Sequence, residues 1–539
     1  MSCLTCSNCG FVNLLPPEPH VQQNLNAIQS SDDLVSQLLR GSRPLLDADH
    51  TFIDAAIAKL ERLRCLYDDQ LQGIQTRRGP VLKSLENHRS VYAPIRRLPR
   101  DILIEIFHSV CDYWKREGEE AEWRLRKQYH SLNVSGPLWV LGRVCGLWRH
   151  VLHTSPMSWA RNLSMTYPFS KNAREILQTY LVHTGEHPLC IRVNLPHYTE
   201  TGGDEIIALL VQSYYRWRNV RIHIPLSHVH HLEAISLPLP ALQTIEIDVE
   251  YESTLAATNS RFHLDMCLNA PQLWQAALPR QGIFQVRLPP TITHYSGFIT
   301  RAEDLQLLSQ LHNLNMCHLH STRMKSASLE GPVVMPQLCR LYIGELDIIN
   351  CLTTPMLKHL TLTRDPRLRY QPSGDAECID LFLRRSGCHL ESLSLDEDLA
   401  RRKSLDSITE LLSSEACSTI SHFKSKLDLY DLWRILAPSD VLPNLRHLVM
   451  CLLMPTPRIE WEEMPPLIRS RRDAGVLKTV ELQFEDDEDL QMIADEDESW
   501  DPPFEYEIKK DIRALTGDNL EMWVAKWNSP NWEHKDIFT

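Results

Sequence analysis

"LPNLRHLVMCL", residues 442–452, places Pro443 two positions before Leu445 and then sets Leu448 and Met450 one residue apart. Successive side chains of a strand point to opposite faces, so Leu448 and Met450 share one face and His447 and Val449 the other. The same x-L-x-x-L-x-L core returns in "LPALQTIEIDV" (239–249), "APQLWQAAL" (270–278) and "LHNLNMCHLH" (311–320). It returns again in "MPQLCRLYIGEL" (335–346), "TPMLKHLTLTR" (354–364) and "GCHLESLSLDE" (387–397). Between the copies lie stretches of helical period: "AREILQTYLVHTGEHPL", "DEIIALLVQSYYRWRNV", "AEDLQLLSQL" and "AECIDLFLRRSG". A strand and helix of this size cannot bury their apolar sides alone. Stacking such units buries them and sets the strands parallel.

Residues 164–485 are therefore expected to form an irregular leucine-rich-repeat solenoid with a parallel sheet, an α/β architecture. The spacing is uneven, and the Asn usual in such repeats is missing. A curved array of this kind presents a face for a target protein, but irregular repeat boundaries assign no individual target contacts. Trp217 in "YYRWRNV" (214–220) lies among arginines, as a base-stacking residue would. A net charge of -13 is wrong for a polyanion partner, so no nucleic-acid partner is expected and Trp217 is read as core.

At 539 residues the chain is expected to hold more than one domain. Its fifteen cysteines, an odd number, suit reduced thiols in the cytoplasm and/or nucleus. "MSCLTCSNCG" has neither the basic nor the apolar part of a secretory signal, and no apolar run reaches the ~18–20 residues of a membrane span. Residues 486–539 carry the acidic run "EDDEDLQMIADEDESWD" (485–501) and a Trp-rich tail. A dense acidic run is a solvated face or a contact for a basic partner.

The first 44 residues are expected to be flexible. Cys3, Cys6 and Cys9 stand before Gly10 in a C-x-x-C-x-x-C array, and thiolates so spaced can converge on zinc. Only His20 stands near as a fourth ligand; the alternative is a reduced, metal-free terminus. Over 45–93, Ile57, Leu60, Leu71, Ile74, Val81 and Leu85 mark a helical seam that predicts a hairpin or coiled coil. Pro80 is expected to divide it into two helices.

Residues 94–163 begin with "RRLPRDILIEIF" (96–107). Pro99 suits a first helical turn, and Asp101 suits the positive end of the helix dipole. Ile102, Leu103, Ile106, Phe107 and Val110 make a broad apolar stripe. After a charged insertion (112–136), Val140, Leu141, Val144, Cys145, Trp148, Val151 and Leu152 mark the face of a second helix, followed by Trp159. A unit of about fifty residues buries little of its own surface, so its spare apolar face calls for a partner.

"LPRDILIEIF", "VCGLWRHVL" and "SPMSW" resemble the F-box, the adaptor-binding module of modular ubiquitin ligases. With the "CxxCG"-like start and the helical lead into "PIRRLP", the whole chain resembles the F-box proteins of mushroom-forming fungi. Gly146 departs from the usual basic or polar residue in the second helix, and Ser158 from the usual Leu before Trp159. The resemblance implies a three-helix F-box and a Skp-type adaptor as partner, with a cullin reached through it. Leu98, Pro99, Ile102, Leu103, Ile106 and Phe107 would touch the adaptor. Val144, Cys145, Trp148 and Trp159 would complete the surface or its support.

No phosphate-binding loop, dinucleotide fingerprint, H-E-x-x-H or nucleophile elbow is found in the sequence. "HVHH" (228–231) before Glu233 is the best metal-like cluster, with His228 and His230 expected on one strand face and no third ligand apparent. Cys145 is expected to act as a small hydrophobe. The chain is read as a non-catalytic receptor without a cofactor or membrane partner. It would be the substrate-recognition subunit of a Skp-cullin-F-box ubiquitin ligase, with a non-degradative interaction scaffold as the alternative.

Overall fold

The computed structural model describes residues 3–5, 12–14, 33–120, 130–196, 202–251, 262–299, 301–321, 331–344, 346–362, 376–395, 405–426, 429–452, 468–472, 476–485 and 521–527. The chain forms two compact units, residues 1–99 and 100–539. Among the described residues, no helix is long and apolar enough to cross a membrane.

In the first unit, β1 (Cys3–Thr5) pairs antiparallel with β2 (Val12–Leu14), Cys3 opposite Leu14. Cys6 and Cys9 lie outside the described residues, and the proposed zinc triplet with them. The stretch expected to be flexible holds a helix at 33–39. The long helix α1 (Asp47–Val91) follows, its start fixed by Asp49, whose Oδ2 accepts the Leu46 N–H at 3.1 Å. Arg43 adds an ion pair to Asp49 at 2.8 Å.

The expected break at Pro80 does not occur: α1 runs through it. A proline there leaves one carbonyl without a donor, and on an exposed helix water can take its place. The seam residues Ile57, Leu60, Leu71, Ile74, Val81 and Leu85 all stay exposed on α1.

The second unit opens with α2 (Arg100–Glu120), α3 (Pro137–Val144), α4 (Gly146–His153) and α5 (Pro156–Ala160). Its sheet begins with β3 (Leu163–Thr166), β4 (Leu189–Asn194), β5 (Trp217–Pro225), β6 (Thr244–Glu250), β7 (Gln275–Leu278), β8 (His294–Ile299) and β9 (Met316–Ser321). A two-residue strand β10 (Val333–Val334) precedes β11 (Arg340–Ile343), and β12 (Leu352–Thr353) precedes β13 (His359–Leu362). Then come β14 (Ser392–Leu395), β15 (His422–Ser425), β16 (His447–Leu452), β17 (Thr479–Glu485) and β18 (Glu521–Trp527).

Apart from the β10–β12 pair, these strands form one 14-stranded sheet in chain order. Every neighbour in it is parallel, from β3–β4 at one end to β17–β18 at the other. Parallel neighbours in chain order, with helices between them, make a solenoid-like α/β stack. Each of the seven x-L-x-x-L-x-L segments supplies one strand: β6, β7, β9, β11, β13, β14 and β16.

The register lines up two apolar rows on the helix-covered face. One runs Leu163, Ile191, Val220, Ile245, Ala276, Tyr295, Cys317, Leu341, Leu360, Leu393, Phe423, Leu448 and Val480. All of these are buried. Two positions on, Leu278, Gly297, Leu319, Ile343, Leu362 and Leu395 continue a second row. Gly297 fits there because the Tyr295 ring fills its place: a Cβ on Gly297 would come within 2.4 Å of the Tyr295 hydroxyl.

The helices between strands turn apolar sides inward: α6 (Ala173–His183), α7 (Gly203–Val211), α8 (Val229–Glu233), α9 (Ala302–Ser309), α10 (Ala376–Ser386), α11 (Leu405–Leu412) and α12 (Leu429–Leu436). Phe382 of α10, Leu411 and Leu412 of α11 and Ile435 of α12 are buried. α7 ends sooner than its sequence period suggested. "WRNV" opens β5 instead, with Trp217 in the core as expected.

Side-chain donors bind one repeat to the one before. Thr291, Asn313, Thr419 and Asn444 each stand three residues ahead of a strand. They donate to Leu273 O, Pro290 O, Leu390 O and Ser418 O at 2.6, 2.9, 2.8 and 2.8 Å. Three arginines do the same for carbonyls that helices and turns leave open. Arg216 donates to His187 O at 3.2 Å, Arg385 to Ile349 O and Leu352 O at 2.8 Å, and Arg471 to Val441 O at 2.7 Å.

Candidate docking face

The long α2 and the three short helices after it hold together through a compact core of their own. Leu103 and Phe107 of α2 are 1% and 0% exposed, and Leu138, Leu141, Val151 and Leu152 are buried with them. The Phe107 ring meets Trp148 at 5.0 Å between centroids. Arg149 Nε donates to Gly142 O at 3.0 Å, and Arg100 donates to Thr154 O, tying α4 to α3 and α2 to the end of α4.

The second predicted helix is broken. Cys145 is extended, with φ -159° and ψ 169°, and separates α3 from α4. Gly146 is therefore the first residue of α4 rather than a helix interior, so the propensity cost of an internal glycine does not apply. Ser158 is buried, and its Oγ lies 3.0 Å from His108 Nε2 and 3.0 Å from Ser155 Oγ. His108 thus supplies the polar partner that a serine in this place needs.

One side of this helical unit is cemented to the sheet. Ser131 N–H donates to Ser164 O at 2.7 Å, and Ser164 N–H donates to Ser131 Oγ at 2.9 Å, so the loop before α3 covers the edge strand β3. The Trp159 indole donates to Leu152 O at 3.1 Å and packs edge-on to Tyr180 of α6 at 5.0 Å. Trp139 joins them at 5.3 Å from Trp159, and His183 at 4.7 Å. Burial, then the neighbouring His153, holds the His183 imidazole below its usual range, as a neutral ring in an aromatic cluster.

The other side is left bare. Ile102 is 44% exposed and Val144 55%, and Val140 and Met157 are also exposed. Ile106, Cys145 and Trp148 are half-buried. The residues expected at the docking surface therefore divide. Ile102, Ile106, Val144, Cys145 and Trp148 offer accessible surface, whereas Leu103, Phe107 and Trp159 form the support beneath and cannot touch a partner in this arrangement. Leu98, half-buried, and Pro99, exposed, close the first unit.

The sheet face opposite the helices carries mixed charge. Arg221 Nε lies 3.3 Å from Glu246, and His223 Nδ1 lies 2.7 Å from Asp248. Arg280 reaches Asp248 at 3.4 Å and Glu250 at 3.8 Å. Farther along, His294, His359, His422 and His447 each open a strand, and the last two rings stack at 5.3 Å. "HVHH" differs from expectation as well: 228–231 is a short helical turn into α8, not a strand, and it does meet a third ligand-type group, Asp204 of α7.

No family model matches the chain, and no curated protein matches it. Among solved structures, a Bacteroides fragilis protein determined by a structural-genomics consortium is similar at 14% identity and TM-score 0.30. The match covers 68% of this chain and 87% of that one. A similarity at that score supports no statement about role.

Proposed function

We propose that the chain is the substrate-recognition subunit of a Skp-cullin-F-box ubiquitin ligase, of the type found in mushroom-forming fungi. The observation that carries this reading is the bare side of the helical unit: Ile102 and Val144 lie exposed above a core in which Phe107 is fully buried. A unit already anchored through Trp159 gains nothing in its own fold from apolar groups on its far side. An apolar adaptor surface gives them something to do. Ile102, Ile106 and Val144 would make the contact, over the support of Leu103, Phe107 and Trp159. By the resemblance alone, Leu98 and Pro99 extend it.

In this role the chain performs no chemistry. The repeat sheet would hold a target protein, its mixed-charge face around Arg221, Glu246, His223 and Asp248 suiting a polar partner. Partner proteins would transfer ubiquitin to a target lysine, working in the cytoplasm or nucleus. The receptor contributes proximity, raising the target's effective concentration beside the loaded enzyme.

Co-purification of the full chain separates this from the scaffold alternative. Recovery of a Skp-type adaptor together with a cullin is the expected result. Recovery of the adaptor without cullin, or of neither, would support a non-degradative leucine-rich-repeat scaffold.

A further inference from the structure

Two consecutive repeats bring a compact set of metal-ligand groups together on either side of β5. Asp204 stands in the first turn of α7, which precedes β5, and His230 and His231 lie in α8, which follows it. One ligand atom from each of Asp204, His230 and His231 falls within 4.8 Å of the others. His231 Nε2 is 3.1 Å from Asp204 Oδ1, and the rings of His230 and His231 are 4.0 Å apart. His228 Nε2 approaches the same Asp204 oxygen at 3.6 Å.

The ring orientations favour coordination. His230 Nδ1 lies 2.8 Å from Ser227 O. A carbonyl only accepts, so Nδ1 carries the proton and Nε2 presents a lone pair. His228 Nδ1 lies 3.0 Å from Ser227 Oγ, which orients its ring.

We propose that Asp204, His230 and His231 bind a divalent transition-metal ion of the zinc class, fastening α7 to α8. Two imidazole nitrogens and a carboxylate oxygen are a borderline-soft set that suits zinc, with the fourth position left to His228 or water. Tetrahedral ligands at about 2.0–2.1 Å from zinc stand roughly 3.3 Å from one another, so the set needs only a modest closure. Asp204 and His230 are exposed and free to make it.

The test uses the full chain with Cys3, Cys6 and Cys9 changed to Ser, so that thiols at the N-terminus cannot contribute. After chelator treatment, zinc titrated by calorimetry is expected to bind with a stoichiometry of one. Adding His230→Ala and His231→Ala should weaken it at least about tenfold. Asp204→Asn, an exposed substitution that leaves both rings in place, should do the same should the double variant fail to fold. Cobalt substituted for zinc should give visible d–d absorption without thiolate charge transfer. No uptake in the protein lacking Cys3, Cys6 and Cys9, or the same dissociation constant in the Asp204→Asn and histidine variants, would overturn the assignment.

Discussion

From Leu163 to Val480 the sheet buries its inward apolar row, strand after strand, while the helical unit ahead of it leaves Ile102, Val140, Val144 and Met157 exposed. Both regions are built from the same residue types. They differ in place: a repeat inside the stack has a repeat on each side, and the helical unit adjoins the stack at its β3 end. The helical unit spends its Trp139–Trp159 side on Tyr180 of α6 in the stack. What remains outside is exposed apolar surface, which the proposed reading assigns to another chain.

The contrast can be broken most severely at Phe107. Phe107→Asp places a charge in a fully buried site, where even Phe→Ala costs about 3–5 kcal/mol. Denaturant unfolding should show the helical unit lost while the stacked repeats still unfold cooperatively. A single unchanged transition would mean that Phe107 is not a core residue.

Next in size is the adjacent pair Arg384 and Arg385 on α10. Arg385 satisfies backbone carbonyls of the preceding repeat, so Arg385→Ala is expected to destabilise by about 1–3 kcal/mol. Arg384, itself exposed, pairs with the half-buried Asp380 four residues before it on the same helix. Arg384→Ala should stay within about 0.5 kcal/mol in the same urea titration. Equal effects would remove the inter-repeat role given to Arg385.

The pH response tests the sheet from another side. Burial, then Arg340, lowers the pKa of His294 and His359, and burial, then His422, lowers that of His447. An imidazole lowered on folding leaves the unfolded chain to bind protons first. The contribution to stability is therefore complete above about pH 6.5 and declines as pH falls through that value toward the lowered pKa. The thermal midpoint should drop between pH 7 and pH 5, with a smaller drop in His447→Gln. Equal drops in both proteins would exclude His447 as a contributor. The smallest effect is expected at Gly146→Ala: a Cβ there has nothing within 4 Å, and the site opens a helix, so stability should move by less than about 0.5 kcal/mol.

Half of the sheet was legible because its strands repeat one residue size. β6, β7, β9, β11, β13, β14 and β16 announce themselves through Leu at fixed intervals. β8 ("HYSGFI") hides because Tyr295 fills the room of its own position and of Gly297, so no Leu is needed at either. β15 ("HFKS") likewise puts Phe423 and Ser425 where its neighbour has Leu393 and Leu395. The ties at Thr291, Asn313, Thr419 and Asn444 left a signal three residues before each strand, one obscured by the use of two residue types. Asp204 could not be found this way: what joins it to His231 is the packing of α7 against α8.

In the helical unit, the sequence marked the apolar stripe but could not say which of its sides was spent internally. A helix of this width has room for both roles. Only the Trp159 cluster fixes which side faces in, and it lies far along the chain from Phe107.

The most direct test is adaptor capture by the full chain carrying Ile102→Asp and Val144→Asp. Both positions are exposed, so thermal and urea unfolding should match the unsubstituted protein to within about 0.5 kcal/mol per site. A purified Skp-type adaptor should be retained by the original chain and lost by the double variant. Undiminished capture by a variant that unfolds normally would contradict the docking role of this face.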